Sequence, residues 1–243
     1  MARLARIVAV NVAHHVTQRG NARQNILAVD SERLVYLQLL RQSADLHDVS
    51  LVGYCLMSNH VHLVVVPSKA QALAVALKQT HGRFASYWNA AHHSSGHVWQ
   101  GRFYSCPLDT DHLWIALRYA ELNPVRAGLV SKAELWPWSS AVAHCGGGVV
   151  DAALETTMWA KRWSAASWRE YLEFGETEVE IAAIRKCTHT GRPLGTAEFL
   201  HSLEQATLRR LAPQKGGRAN RAAAETGQKV LTFETPSRPD RIA

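Results

Sequence analysis

Apolar and polar positions divide the first 140 residues into a regular series of elements. RIVAVNVAHHVTQRG, residues 6–20, alternates and ends on polar side chains and Gly20, which predicts a strand. SERLVYLQLLRQSADLHD opens with Ser31, a candidate N-cap, and then sets Leu34, Val35, Leu37, Leu39 and Leu40 at helical spacing. VSLVGYCLM predicts a second strand, Ser58 and Asn59 a tight turn, and HVHLVVVP a third strand. KAQALAVALKQTHGRFASYWNAA predicts a helix with Leu73, Leu77, Phe84 and Trp88 on its apolar side. VWQGRFYSCPL predicts a fourth strand, and DHLWIALRYAELN a helix capped by Asp109 or Asp111 and stopped at Pro124.

The order is strand, helix, strand, strand, helix, strand, helix. This is the ferredoxin-like order with one extra helix, so the expected class is α+β: an antiparallel sheet with helices on one face. Past Trp136-Pro137-Trp138 and Gly146-Gly147-Gly148 the composition shifts. LETTMWAKRW, SWREYLEFGETEVEIAAIRKC and TAEFLHSLEQATLRRL read as helices, the last capped by Thr196, with THTGRPLG turning between the last two. From Pro213 the chain has little periodicity and is rich in Gly, Ala, Arg, Thr and Pro, as a disordered tail would be. The expected organisation is a domain over 1–148, a helical C-terminal extension over 149–212 and a basic tail over 213–243.

Charge narrows the partner. The net charge of +7 is unevenly spread: residues 1–150 carry 13 basic and 8 acidic side chains, residues 151–212 carry 8 and 9, and residues 213–243 carry 6 and 3. A surplus in the first part and the tail suits a polyanion, although ordinary solubility charge would look the same. No apolar run is long enough to span a bilayer. The opening MARLARIVAVNVAHH lacks a small-residue cleavage site and alternates like a strand, so the expected location is the cytoplasm, away from membranes. Cys55, Cys106, Cys145 and Cys187 are too far apart for a zinc knuckle and read as free thiols.

The chemistry concentrates at two places. His60 and His62 are two apart on a strand, so they project from the same face. They are either sheet-face histidines making ordinary hydrogen bonds or two imidazoles holding one metal ion. Tyr119 and Asn123 are four apart on a helix and share a face. An Asn carboxamide oxygen suits a hard or borderline divalent ion, Mg²⁺ or Mn²⁺, and a phenol one turn away would lie next to it. Together the four suggest phosphodiester chemistry, with the ion polarising the phosphate and tyrosine attacking phosphorus.

HHVTQRGNARQ, YCLMSNHVHLVVVP, VWQGRFYSCPL and RYAELNPVRAGLV, in this order, are together similar to the single-tyrosine transposases of insertion sequences. The similarity is greatest to the REP-associated tyrosine transposases, within the HUH superfamily of single-strand DNA endonucleases. It covers roughly residues 7–140, and GRPLG resembles the extension of longer relatives. The resemblance implies that 1–148 is the catalytic domain, that His60, His62 and Asn123 hold the ion, and that Tyr119 forms a 5′-phosphotyrosine. It implies a single-stranded DNA substrate bearing a hairpin and a protein that is a monomer or a homodimer.

Thr17, Gln18 and Arg19 fall where the family has polar DNA-contacting residues. Arg83, Gln100, Arg102 and Tyr104 mix guanidinium and stacking groups suited to nucleic acid, and Arg126 is placed to bind phosphate unless Glu121 pairs with it. His15 is placed to approach the site, or is a core or surface histidine. His92, His93 and His97 read as an exposed loop without a partner acid. Two other classes of function fit the same fold: a nucleic-acid-binding module without catalysis, and a metal-dependent phosphodiesterase that uses water.

Overall fold

A computed structural model describes residues 6–148 and 154–211; the basic tail expected from residue 213 lies outside the described residues. Strand β1 (Ala13–Arg19) is followed by helix α1 (Asp30–Leu46), strands β2 (Val49–Leu56) and β3 (His60–Pro67), helix α2 (Ala72–Ala91), strand β4 (Tyr104–Leu108) and helix α3 (Thr110–Glu121). The strands form one sheet of order β2-β3-β1-β4, and every neighbouring pair is antiparallel. This is the ferredoxin-like α+β arrangement that the element order predicts, except that helices cover both sheet faces and not one, because α3 packs on the face opposite α1 and α2.

Strand alternation sorts two cores. Val16, Val61, Leu63 and Val65 point to one face, where α1 contributes Tyr36, Leu37 and Leu40 and α2 contributes Leu73, Leu77 and Phe84. The opposite face holds Val52, Val64, Cys106 and Leu108. It is covered by α3, through Leu113, Trp114 and Leu117, and by helices from the C-terminal part of the chain. Those elements are α4 (Asn123–Arg126), α5 (Ala141–His144), α6 (Thr157–Ala160), α7 (Ala165–Phe174) and α8 (Glu178–Thr190), whereas Leu203 of α9 (Ala197–Thr207) packs in a separate cluster with Ile7 and Ala9. Trp168 and Leu172 of α7 and Ile181 and Ile184 of α8 share this second core.

Several local expectations shift. Ser31 lies inside α1, whose N-cap is Val29; the Glu32 carboxylate accepts from the backbone N–H of Ala28 (2.7 Å) and Val29 (3.1 Å), which satisfies the helix start. The fourth strand is shorter than the pattern implied, beginning at Tyr104. At α3 the cap is Asp109, whose carboxylate accepts from His112 N at 2.9 Å. The expected helix over 167–187 is broken at Gly175, which has φ +79° and closes α7.

Two devices hold α3 against the sheet. At Gly53 of β2, an added Cβ would come within 2.1 Å of Leu117 Cδ1, so glycine permits the close approach of α3. At its other end, the fully buried Glu121 carboxylate accepts from Ser140 Oγ (2.6 Å), His144 Nδ1 (2.6 Å) and Trp168 Nε1 (2.8 Å). Tyr119 stands between these two anchors.

Candidate active site

The β1–β3 ladder begins the site. Thr17 is directly opposite His62 and Arg19 is opposite His60. His15 shares the face of Thr17, and the diagonal between strands brings His15 Nε2 to 2.9 Å from His62 Nδ1. The rings of His60 and His62 are 5.0 Å apart. Tyr119 approaches from α3, its ring centre 5.5 Å from that of His62 and 5.7 Å from that of His15, edge-on to both.

These groups line a cleft of about 570 Å³ that also contains Gln18, Gln100, Tyr104, Asn123, Arg126 and Arg185. Burial dominates its electrostatics. It lowers the pKa of His15 to about 3 and that of His60 to about 4, with Arg126 adding to both, and it holds His62 well below the ordinary histidine value. The three imidazoles are therefore neutral at neutral pH, the state in which a ring nitrogen has a lone pair for a metal.

The free atoms fit a divalent ion. His60 Nδ1 lies 2.6 Å from Asn59 Oδ1 and His62 Nδ1 faces His15, so each ring has its Nε2 left over. Among the described residues no three His, Cys, Asp or Glu side chains form a metal-holding group. Asn123 Nδ2 donates to the carbonyls of Tyr119 (3.0 Å) and Ala120 (3.3 Å), which leaves Oδ1 as its available end and a candidate third donor. Two imidazoles and a carboxamide oxygen suit Mg²⁺ or Mn²⁺, with positions left for phosphate and water.

Around the phenol the charge is positive. Arg185 Nε donates to Tyr119 Oη at 3.3 Å, and the Arg126 guanidinium lies 4.2 Å from the centre of the Tyr119 ring. Arg126 also donates to the Tyr119 carbonyl at 2.9 Å and pairs with Glu176. Its carboxylate partner is thus not Glu121, which is spent on Ser140, His144 and Trp168.

The other expected contacts divide. Thr17, Gln18, Arg19, Gln100 and Tyr104 line the cleft. Thr17 Oγ1 donates to Val61 O (2.9 Å), and Gln18 Nε2 donates to Gly101 O (2.7 Å), so part of their hydrogen-bonding capacity is already structural. Tyr104 stacks on His189 at 5.1 Å. Arg102 lies outside the cleft, beside a small groove with Arg6 and Phe103. Arg83 is outside the cleft: it is on α2, on the sheet face opposite the histidines, and donates to Gln42 Oε1 at 3.2 Å. The loop histidines also differ in one respect, because His92 does have an acid partner, Glu32, at 2.7 Å.

The helix α8 was legible as a helix, but its place at the cleft was not. Arg185, Thr188 and His189 all line the cleft, and no spacing signal links them to histidines more than 120 residues away. His15 was weighed without a role; its alternation with Thr17 on β1 was the available clue.

The ferredoxin-like sheet thus brings two histidines, an asparagine and a helix-borne tyrosine to one cleft. Residues 8–123, a little under half of the chain, match the model of the IS200-like transposases, and this segment is similar to that family. Among solved structures, a REP-associated tyrosine transposase bound to a REP hairpin is similar at 17% identity and a TM-score of 0.51, covering 64% of this chain and 98% of its own. A putative transposase from Deinococcus radiodurans is also similar at 17% identity, with a TM-score of 0.36, 53% of this chain and 98% of its own. At such identity the first likeness speaks to the fold. No curated protein matches the sequence. Among the described residues no helix is long and apolar enough to cross a membrane.

Proposed function

We propose that this transposase cleaves and rejoins single-stranded DNA beside a hairpin, with Tyr119 as the nucleophile and His60, His62 and Asn123 holding Mg²⁺ or Mn²⁺. The observation that carries this reading is the Tyr119 ring 5.5 Å from His62, at the edge of a cleft that also presents Asn123 and two arginines.

Tyr119 Oη forms a bond to phosphorus and loses its proton, the bond from phosphorus to the 3′-oxygen breaks, and that oxygen leaves as a hydroxyl. The product is a 5′-phosphotyrosine. In the reverse sense a second 3′-hydroxyl attacks the phosphotyrosine and the phenolate of Tyr119 leaves, so the energy of the first bond is kept and no nucleotide cofactor is needed. When bound, the divalent ion would supply Lewis-acid polarisation of the phosphate and offset charge in the transition state. Arg185, donating to Oη, supports the developing and departing phenolate. Arg126, under the Tyr119 ring and tied to its carbonyl, fixes the ring and adds positive charge for the phosphate. Tyr104 stacked on His189 offers an aromatic platform for an unpaired base, and Arg19, Gln18 and Gln100 offer polar contacts along the rim. The rim favours splayed, single-stranded DNA because stacking needs an exposed base face.

The organisation that accompanies this function is a catalytic domain over 1–148 and a helical extension over 149–212, with monomer or homodimer as the working assembly and the cytoplasm as its place of action. The test is a denaturing-gel assay of labelled hairpin DNA with single-stranded flanks, in Mn²⁺ or Mg²⁺. A metal-dependent adduct that survives denaturation and is lost in Tyr119→Phe and His62→Ala supports the reading. Cleavage without an adduct would indicate a hydrolase using water. Binding alone, unaffected by either substitution, would indicate a non-catalytic module.

A further inference from the structure

His62 does not stand alone behind the cleft. His15 Nε2 is 2.9 Å from His62 Nδ1, His15 Nδ1 is 2.7 Å from Thr188 Oγ1, and Thr188 Oγ1 is 3.3 Å from Cys106 Sγ. The chain runs from β3 through β1 to α8 and ends against β4. His15 and Thr188 are buried, at 1% and 3% exposure. Thr188 lies 65 positions beyond the end of the family match at residue 123.

We infer that Thr188, acting through His15, is a positioning residue that sets the tautomer of His62 and so makes its Nε2 available to a divalent ion. This inference rests on the proposed metal role of His62. A neutral imidazole has one N–H and one lone pair. For His62 Nε2 to be a ligand, its proton must be on Nδ1, which then donates to His15 Nε2. His15 must then carry its own proton on Nδ1, and that proton needs an acceptor. Thr188 Oγ1 is the acceptor in place, and its hydroxyl hydrogen can turn to Cys106 Sγ. Every group in the chain is satisfied with the lone pair of His62 facing the cleft.

Without the hydroxyl, His15 Nδ1–H would be buried with no acceptor. His15 would then favour the other tautomer, with its proton on Nε2 donating to His62 Nδ1. That moves the His62 proton to Nε2, where it blocks coordination. What Thr188 supplies is therefore the acceptor that the metal-competent direction of the hydrogen bonds requires, rather than the packing of the helix.

Thr188→Val keeps the shape and removes the hydroxyl; Thr188→Ser restores the hydroxyl. Mn²⁺ affinity, read as free Mn²⁺ by electron paramagnetic resonance, is expected to fall roughly tenfold in Thr188→Val and to recover in Thr188→Ser. Equal affinity of wild type and Thr188→Val, with the metal lost in His62→Ala, would overturn the positioning role alone. Wild type that binds Mn²⁺ no better than His62→Ala would overturn this role together with the metal reading. A second measurement does not depend on any variant folding. Nitrogen-15 spectra of histidine-labelled wild type are expected to show Nδ1–H on His15 and His62, and Nε2–H on either would overturn the inference.

Discussion

Arg185 and Tyr119 are 66 positions apart, yet the guanidinium Nε of one donates to the phenol oxygen of the other at 3.3 Å. This contact brings a helix outside the family-matched segment to the proposed nucleophile. If the proposed chemistry holds, Arg185→Ala should cut the rate of adduct formation by roughly tenfold to a hundredfold, since a donor aimed at developing charge acts mainly in the transition state. Hairpin affinity should change much less. Single-turnover adduct kinetics at saturating DNA make the check. A loss that appears only as weaker binding would assign Arg185 to substrate capture instead.

DNA affinity tests the geometry of the two sheet faces. Arg19 lines the cleft beside His60, whereas Arg83 is on α2 across the sheet and bonded to Gln42. Each phosphate contact with a single strand adds about 0.7 to the slope of log affinity against log salt. Arg19→Ala should therefore lower that slope by about that amount, and Arg83→Ala should leave it unchanged. The measurement is a fluorescence-anisotropy titration of a flanked hairpin over a salt series. An equal drop for both variants would mean that DNA also follows the α2 face.

The two histidines of the cleft were legible because strand alternation is local: two residues apart is enough to place His60 and His62 on one face. The same is true of Tyr119 and Asn123 on neighbouring helical turns. The side of the sheet that carries Arg83 was not legible, for the complementary reason. Its residue type suits DNA, but type does not say which side of a sheet a helix covers. Thr188 and Arg185 could not be found from the sequence, since helical periodicity marks the buried side of α8 without naming the sheet it packs on. Glu121 is a similar case: five positions before Arg126, it reads as the competing ion-pair partner of that arginine, and the fold instead encloses it among Ser140, His144 and Trp168.

Glu121 gives a stability prediction. Its carboxylate is inaccessible to solvent and accepts three short hydrogen bonds from different segments. Glu121→Ala leaves all three donors without their acceptor and removes the tie between α3 and the 139–144 and α7 segments. The expected loss is about 3 to 5 kcal/mol of unfolding free energy, the range for breaking a buried charged network from one side. Urea denaturation measures it. Glu121→Gln, which keeps one acceptor oxygen, should cost less. A loss under about 1 kcal/mol in the alanine variant would mean that water or a rotated side chain replaces the carboxylate.

Acid should weaken the fold through its buried histidines, and His14 gives the sign. It is fully buried; Nδ1 faces the Val12 carbonyl at 2.8 Å, and Nε2 accepts from the Ala9 N–H at 3.2 Å, an arrangement only the neutral ring satisfies. Burial lowers its pKa to about 4, and the same cause lowers that of His81 to about 3. In the unfolded chain both protonate near 6.5. Above that value neither state binds the proton and stability is at its full level. As pH falls from 6.5 toward 4 the unfolded state binds protons that the folded state refuses, so stability drops. For His14 alone the loss approaches about 3 kcal/mol at the lower end. Melting or urea curves from pH 7.5 to 4.5 should show this decline, and His14→Gln should make it shallower even if that variant is less stable at neutral pH. An identical slope in the two proteins would mean that His14 takes up its proton without unfolding.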